Sequence, residues 1–287
     1  MFITLMLFKW ISFHPNTKKN FPPSPPKLPI IGNLLQLRQI PQRSLRDLSE
    51  KYGPLMLLHL GNKPTLVVSS ADVAREVMKT HDLAFSDRPS LSIPNILFYG
   101  SSDIAFSRYG EYWRKLKSIV VLHLLSSTRV KSFRQVREEE IGHMISVLRE
   151  RRGSIIDLSA LLYCLTSNIL CRVTFGKKYE GLGITDKVKQ CMDMLGAFCV
   201  GNHIPWLSWI DRLSGLEGKA RKLSIELDNF LQGVIDEHLN KETREDAQGE
   251  MARNFVDTLR DIQRDNTNNF ILHTTTLKAV VMVCRGI

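Results

Sequence analysis

Hydrophobic side chains recur at helical spacing through most of the chain beyond residue 108. In 221–239 they lie at i, i+4, i+7, i+8, i+11 and i+12, which makes one continuous apolar stripe on a helix whose other faces are charged. The stretches 127–150 and 157–174 carry similar stripes. This part of the chain therefore predicts helices that each bury one side. The apolar residues of the first stripe are Leu223, Leu227, Phe230, Leu231, Val234 and Ile235.

Short apolar runs of the strand type occur only in the first quarter of the chain. The runs 55–60 and 65–69 flank the turn-forming sequence GNKP and predict a β-hairpin. Residues 44–52 predict a short amphipathic helix, and Ser70 stands where the N-cap of the next helix belongs. Because the strands are confined to this region, the sequence predicts a mainly α fold with a small β-sheet at one edge, and not a doubly wound α/β fold.

The N-terminal residues 1–13 are almost entirely apolar, with Lys9 as an interruption. As a helix they would extend about 20 Å, against about 30 Å for the hydrocarbon core of a bilayer. No cleavage site of the signal-peptide type follows, and Lys18 and Lys19 would keep the following chain cytoplasmic if the segment is an anchor. Two interpretations of residues 1–20 stay open: a short membrane anchor or interfacial segment, and a disordered tail.

Proline marks the next boundary. Residues 21–34 contain PPSPPKLP, in which φ is fixed at many positions, and they predict a stiff proline-rich hinge ahead of a folded domain that occupies 35–287. Within that domain 241–254 is too polar to build a core and predicts an exposed loop.

The net positive charge of the chain favours anionic partners. Lys and Arg number 39 against 29 Asp and Glu in 287 residues, and the net charge of +10 favours a membrane surface, an acidic protein or nucleic acid. The basic residues have acidic neighbours, as in REEE at 137–140, and form no stripe interleaved with aromatics, so we expect solvated helix faces and no nucleic-acid binding. The five cysteines include no CxxC pair, which argues against a zinc ribbon or a disulfide framework and favours a reduced, cytosol-facing chain.

Motifs of several enzyme classes are missing from the sequence. Gly181-Leu182-Gly183 lacks the third glycine and the preceding strand of a dinucleotide site. There is no P-loop, no HExxH pair of metal ligands and no GxSxG elbow. The residues themselves thus identify no catalytic group and no metal ligand.

Aromatic side chains cluster in 99–120, YGSSDIAFSRYGEYWRKLKSIV, just before a basic helical turn. Trp113 is followed by cations at i+1 and i+4, Arg114 and Lys117, so an indole N–H and an ammonium share one helix face. That arrangement suits a pair of carboxylates. Spacing alone leaves a second interpretation open, a core tryptophan beside solvated cations.

This segment resembles the C-helix region of plant microsomal cytochrome P-450 monooxygenases, where W-R-x-x-R follows D-I-A-F and Y-G-x-Y-W. Other segments are similar to successive elements of that family, and the resemblance runs from about residue 20 to about 281. They are PPSPPKLPIIGNL (22–34), FSDRP (85–89), LTSNILCRVTFGKKY (165–179), VGNHIPWLSWIDRLSGLEGKARKL (200–223) and FVDTLRDIQRDN (255–266).

The resemblance implies a haem cofactor whose propionates contact Trp113 and Lys117. Lysine stands where the family has arginine, so the charge is kept but the planar fork for a bidentate carboxylate contact is lost. It also implies that two segments contact substrate. These residues are Ile96, Leu97, Phe98, Ile104, Ala105, Phe106 and Phe198.

The activity implied by the family is that of a haem-thiolate monooxygenase that hydroxylates a small lipophilic substrate with O2. The implied partners are an NADPH-cytochrome reductase, which supplies electrons, and the endoplasmic reticulum membrane, on its cytosolic face. The basic surface of Arg114, Lys115 and Lys117 suits an acidic reductase, although solvated charges explain it equally well.

Three family elements are not found: A-G-x-D/E-T, E-x-x-R and the cysteine of F-x-x-G-x-R-x-C-x-G. Residues 274–287 resemble the opening of the oxygen-binding helix and then diverge, while Cys199 and Cys284 lack the required upstream Phe, Gly and Arg. We therefore expect a P-450 fold truncated before that helix is complete, with no axial cysteine and no activity on its own. The alternative hypothesis is a non-catalytic, membrane-associated interaction protein.

Overall fold

A computed structural model describes residues 21–38, 40–179, 183–242, 253–265 and 270–286. The predictions for residues 1–20 and for most of the loop 241–254 lie outside these residues. The described part is mainly helical with one two-stranded antiparallel sheet, which confirms the predicted fold class. It forms two compact units: residues up to 87 together with 199–211, and residues 88–198 together with those from 212 onward.

The strands are β1 (Leu55–Leu60) and β2 (Lys63–Val68), and two 3-10 turns occur at Leu34–Gln36 and Pro205–Leu207. The helices are α1 (Pro41–Tyr52), α2 (Ala71–Arg75), α3 (Asp82–Phe85), α4 (Ser92–Leu97), α5 (Glu111–Ile119), α6 (Ser127–Ser132), α7 (Arg134–Glu150), α8 (Leu158–Phe175), α9 (Ile184–Leu195), α10 (Val200–His203), α11 (Trp209–Leu213), α12 (Leu216–Glu242), α13 (Phe255–Asp265) and α14 (Thr274–Gly286). Glu76–Thr80 and Val120–Leu124 are π-helical turns.

The predicted hairpin forms in the first unit, with Leu55 opposite Val68 and Leu60 opposite Lys63. Its turn is shorter than GNKP, because Lys63 and Pro64 already belong to β2.

Local signals also set the helices of this unit. The helix α1 begins at Pro41, three residues before the prediction, since proline suits the first helical turn. Ser70 accepts a hydrogen bond from the Val73 N–H and caps α2 as expected.

The proline-rich segment lies against the hairpin. The N–H of Leu57 donates to the Pro23 carbonyl at 2.9 Å, and the Asn33 amide donates to the Pro26 carbonyl at 3.1 Å. Gly32 has a φ of +60°, and a Cβ there would lie 2.0 Å from the His59 carbonyl oxygen, so only glycine fits.

The second unit is built around the apolar faces of α5, α8, α12, α13 and α14. The predicted stripe of α12 faces this core: five of its six residues are buried, and Phe230 is half-buried. The short α4 packs against α12 and α9. Periodicity therefore identified the buried side of the longest helix correctly.

Glu140 corrects the expectation that the acidic run at 137–140 is solvated. Its side chain is only 3% exposed, and it forms ion pairs of 2.8 Å with Arg172 and with Lys178. Burial alone raises the pKa of Glu140, but the hydrogen bonds from Lys178 and Arg172 outweigh it, so the pKa lies below its ordinary value. Because α7 packs on α8, this one carboxylate is enclosed while its neighbours stay exposed.

The helix α8 is mostly apolar, but the larger part of it is not buried. By length and composition alone it meets the criteria for a helix that crosses a membrane, which core helices of soluble proteins also meet. Of this helix, 22% is buried. Leu158, Leu162 and Tyr163 are exposed, as is the thiol of Cys164. The other cysteines are thiols as well, three of them buried and Cys284 half-buried.

Candidate functional site

Trp113 lies in the first half of α5, the helix that the sequence singled out. Leu116 and Ile119 bury the other side of this helix in the core, which leaves the indole half-buried at the edge. The indole N–H is already bonded, because Nε1 donates to the Ile104 carbonyl at 2.9 Å. The sequence pattern gave no sign of this intramolecular partner.

Two cations lie over the Trp113 ring. The Lys117 ammonium is 4.8 Å from the ring centroid, and the Arg88 guanidinium carbon is 5.0 Å from it. Arg88 also donates from Nε to the Ala105 carbonyl at 3.3 Å. Within the described ranges, no carboxylate lies within ion-pair distance of Lys117. Arg88 was not predicted from the sequence as part of this site, although FSDRP contains it.

A tight turn holds the carbonyls that face these side chains. Oδ1 of Asp103 accepts the N–H groups of Ala105 at 2.6 Å and of Phe106 at 2.9 Å. The second carboxylate oxygen of Asp103 is buried and has no hydrogen-bond partner. Burial raises the pKa of this carboxyl, and the two backbone bonds oppose that shift. The turn therefore presents the carbonyls of 104 and 105 to Trp113 and Arg88.

The structure brings several predicted substrate-contact residues together. The rings of Phe98 and Phe106 stack with their centroids 5.3 Å apart, and Ile104 packs against the main core. Ile96 and Leu97 lie on α4, and the Ile96 carbonyl accepts a hydrogen bond from α12. Phe198 is placed differently: it follows α9 and exposes 57% of its surface.

Three polar side chains connect the segment 96–106 to the core helices α12 and α14. The Tyr99 hydroxyl donates to Oδ1 of Asp228 at 2.7 Å, and the Lys278 ammonium lies 2.6 Å from the same oxygen. The Lys278 side chain is only 7% exposed. Sequence reasoning missed this group, although a single cation in the apolar run of α14 is a signal that could have identified Lys278.

An apolar pocket of about 350 Å³, a volume that includes its open mouth, lies among α8, α9, α12 and α14. No predicted site residue lines it. Burial raises the pKa of its one thiol, Cys191, to about 11, so that thiol is unreactive near neutral pH. The lining residues are Phe175, Ile184, Val188, Cys191, Met192, Leu227, Phe230, Leu231, Val281 and Met282.

The residues around Trp113 fit an anionic group by charge. Lys117 keeps its ammonium exposed, and Arg88 lies on the same ring. The indole N–H reaches such a group only by leaving the Ile104 carbonyl. The two cysteines that lack the family's upstream motif residues are both shielded from solvent: Cys199 is buried and Cys284 is half-buried, and burial raises the pKa of Cys284 to about 11. In the part of the chain that the structure describes, no three His, Cys, Asp or Glu side chains are grouped to hold a metal ion.

Comparison with known proteins identifies the family. The family model described as Cytochrome P450 matches residues 22–285. The chain is 52% identical over 279 residues to "Cytochrome P450 Tp4149" of Tanacetum parthenium, covering 97% of this chain and 55% of the relative. It is 48% identical over 281 residues to "3-beta-hydroxylase" of the same species, with coverage of 96% and 56%.

A third relative agrees. The chain is 46% identical over 294 residues to "Cytochrome P450 71A4" of Solanum melongena, covering 98% of this chain and 58% of the relative. The chain thus spans about half the length of the curated relatives it matches. These matches confirm the resemblance found in the sequence, and the chain belongs to the cytochrome P450 family, among its plant members.

Proposed function

We propose that this chain is the part of a haem monooxygenase that binds the acidic edge of the haem and forms one wall of the substrate site. The observation that carries the proposal is the pair of cations over Trp113 in a chain of this family: the Lys117 ammonium lies 4.8 Å and the Arg88 guanidinium carbon 5.0 Å from the ring centroid. When bound, haem supplies the activation of O2 and the transfer of one oxygen atom to the substrate.

In this proposal Trp113 and Lys117 hold the two propionates. The ammonium of Lys117 supplies charge without a fixed direction, since it lacks the fork of a guanidinium. Trp113 contributes its N–H once the Ile104 carbonyl is released. The two cations on the ring raise the local positive potential, which favours carboxylates in this partly exposed place.

Substrate contact in this proposal belongs to the apolar residues of 96–106 and to Phe198. The stacked rings of Phe98 and Phe106 form a flat apolar surface, which suits a small lipophilic molecule. Phe198 supplies an exposed aromatic side chain from the chain beyond α9.

The partners follow from the same family assignment. We propose that an NADPH-cytochrome reductase supplies electrons by way of the basic surface of Arg114, Lys115 and Lys117, and that the protein acts at the cytosolic face of the endoplasmic reticulum membrane. We also propose that the 287-residue chain, which contains no axial cysteine motif of the family, is inactive on its own.

A hemin titration of the purified chain tests the proposal. We expect stoichiometric binding, read from the Soret band, and an affinity about ten-fold lower in Lys117→Ala, because a charge-assisted contact to a propionate is lost. Lys117→Arg should bind at least as tightly as the wild type, since its guanidinium contacts a carboxylate through two bonds. After reduction and addition of carbon monoxide, the spectrum should lack the thiolate-type Soret shift.

Lys115→Ala is the matched control. Lys115 lies on the same helix but its ammonium pairs with Glu111 at 2.9 Å, so its loss should leave hemin affinity unchanged. Equal weakening by the two alanine variants would show that only net charge matters. Failure of the wild-type chain to bind hemin would contradict the proposal and favour the non-catalytic interaction protein.

A further inference from the structure

The segment 96–106 adopts an unusual backbone between α4 and α5. Tyr99 has a φ of +50°, Gly100 of +75° and Ser101 of +58°, so three successive residues lie in the left-handed region. For a residue other than glycine this conformation is strained and persists only where the surroundings enforce it. The structure must therefore contain contacts that hold this backbone.

The helix α12 provides two such contacts from one face. The Ser224 hydroxyl donates to the Ile96 carbonyl at 3.1 Å, and Asp228, one helical turn later, accepts the Tyr99 hydroxyl at 2.7 Å. Both contacts reach the start of the segment. They bridge about 130 positions of sequence, since the bonded residues are 128 and 129 apart.

Lys278 fixes the acceptor in turn. Its ammonium, 2.6 Å from Oδ1 of Asp228, comes from the buried side of α14, where the neighbouring residues Leu277 and Ala279 are at most 1% exposed. A buried ammonium needs a charged partner, so it keeps Asp228 ionised and aimed inward. Burial tends to raise the pKa of Asp228, but the bonds from Lys278 and Tyr99 outweigh it and the pKa lies below its ordinary value.

We propose that Asp228 and Lys278 are positioning residues that act through Tyr99 to hold 96–106 in the conformation that contacts substrate. The substrate role rests on the function proposed above; the mechanical role does not. In this arrangement the Asp228 carboxylate on α12 connects the left-handed turn at Tyr99 to the buried Lys278 ammonium on α14. The side chains whose position depends on it include Leu97, Phe98 and Phe106.

Hydrogen exchange of the backbone amides in the 287-residue chain measures how firmly the segment 96–106 is held. The structure places hydrogen bonds on the amides of Gly100, Ser102 and Ala105, which should therefore be protected in the wild type. Tyr99→Phe removes only the hydroxyl and should speed exchange in 96–106 about ten-fold, because a hydrogen bond to a charged group is lost. Exchange in α13 should stay as in the wild type.

Two further variants separate positioning from stability. Asp228→Leu with Lys278→Met removes both charges and keeps apolar packing, so global stability should be largely retained while exchange in 96–106 becomes as fast as in Tyr99→Phe. Glu226→Gln, on the same helix, removes the ion pair with Lys187 on α9 and should leave 96–106 unchanged.

Three results would overturn the proposal: an unprotected 96–106 segment in the wild type, unchanged exchange there in Tyr99→Phe, or wild-type protection in the double variant. None of these measurements needs haem or substrate. A chain that fails to bind hemin but shows the expected exchange pattern would contradict the proposed function and leave the positioning role intact.

Discussion

Lys117 and Lys278 lie on two helices of the same unit, but they differ in solvent exposure and in whether a carboxylate pairs with the ammonium. Lys117 on α5 is exposed and rests on the ring of Trp113, with its ammonium free of carboxylates among the described residues. Lys278 on α14 is 7% exposed and lies 2.6 Å from Asp228. One cation is available to a ligand, and the other is committed to the fold.

The difference teaches how burial divides roles between chemically identical side chains. A cation at the surface costs little to keep and is easily neutralised by a bound anion. A cation in the core must be satisfied from within, and its partner then becomes fixed as well. We propose that the same residue type serves recognition at one site and positioning at the other, and separate measurements should detect the two roles.

The largest expected effect comes from breaking the buried pair. Asp228→Asn leaves the Lys278 ammonium without a charged partner, and we expect it to lower the free energy of unfolding by about 3 kcal/mol, the lower end of the range for buried pairs, because water reaches the 40% of Asp228 that is exposed. Urea denaturation followed by circular dichroism measures it. A loss no larger than that of Glu226→Gln, which breaks a pair at the edge of the same helix, would contradict this.

An intermediate effect should appear in the pH dependence. The folded pKa of Asp228 lies below its unfolded value of about 3.8. The pair therefore contributes its full stability above that value and loses it as the pH falls through the folded pKa. The difference in unfolding free energy between the wild type and Asp228→Asn should be constant from about pH 7 to 5 and shrink below about pH 4. A difference that persists undiminished at about pH 3 would show that charge is not its origin.

The smallest effect should come from Lys117. Lys117→Ala removes an exposed cation from an aromatic face, so the free energy of unfolding should change by no more than about 1 kcal/mol. The same variant carries the large expected loss of hemin affinity, and the two results together would sharpen the contrast with Lys278. A loss of stability as large as that of Asp228→Asn would mean that Lys117 also supports the fold.

Local patterns predicted most of the architecture. The buried face of α12 follows from the spacing of apolar residues, because a helix shows its period within its own sequence. The hairpin and the Ser70 cap follow from signals only a few residues long. Such elements require no knowledge of what lies opposite them, so a single sequence suffices.

The buried ion pairs and the candidate site depend on contacts between distant parts of the chain, and the sequence did not predict these contacts. Glu140 is buried because α8 brings Arg172 to it across 32 positions, and no pattern in the acidic run indicates this. Asp228 and Lys278 are 50 positions apart, and Arg88 reaches Ala105 across 17. Trp113 and Lys117 were proposed as haem contacts through resemblance, whereas spacing alone favoured a core tryptophan beside solvated cations.

The exposed thiol on α8 makes this molecule easy to label at one point. The nucleophile in alkylation is the thiolate, and burial raises the pKa of Cys191 and Cys284 to about 11, whereas Cys164 lies open to solvent beside Leu162 and Tyr163. A maleimide dye should therefore attach to the uncovered apolar side of this helix without any engineered cysteine. With a polarity-sensitive dye, the wavelength of maximum emission would then report whether lipid, detergent or another polypeptide covers that side.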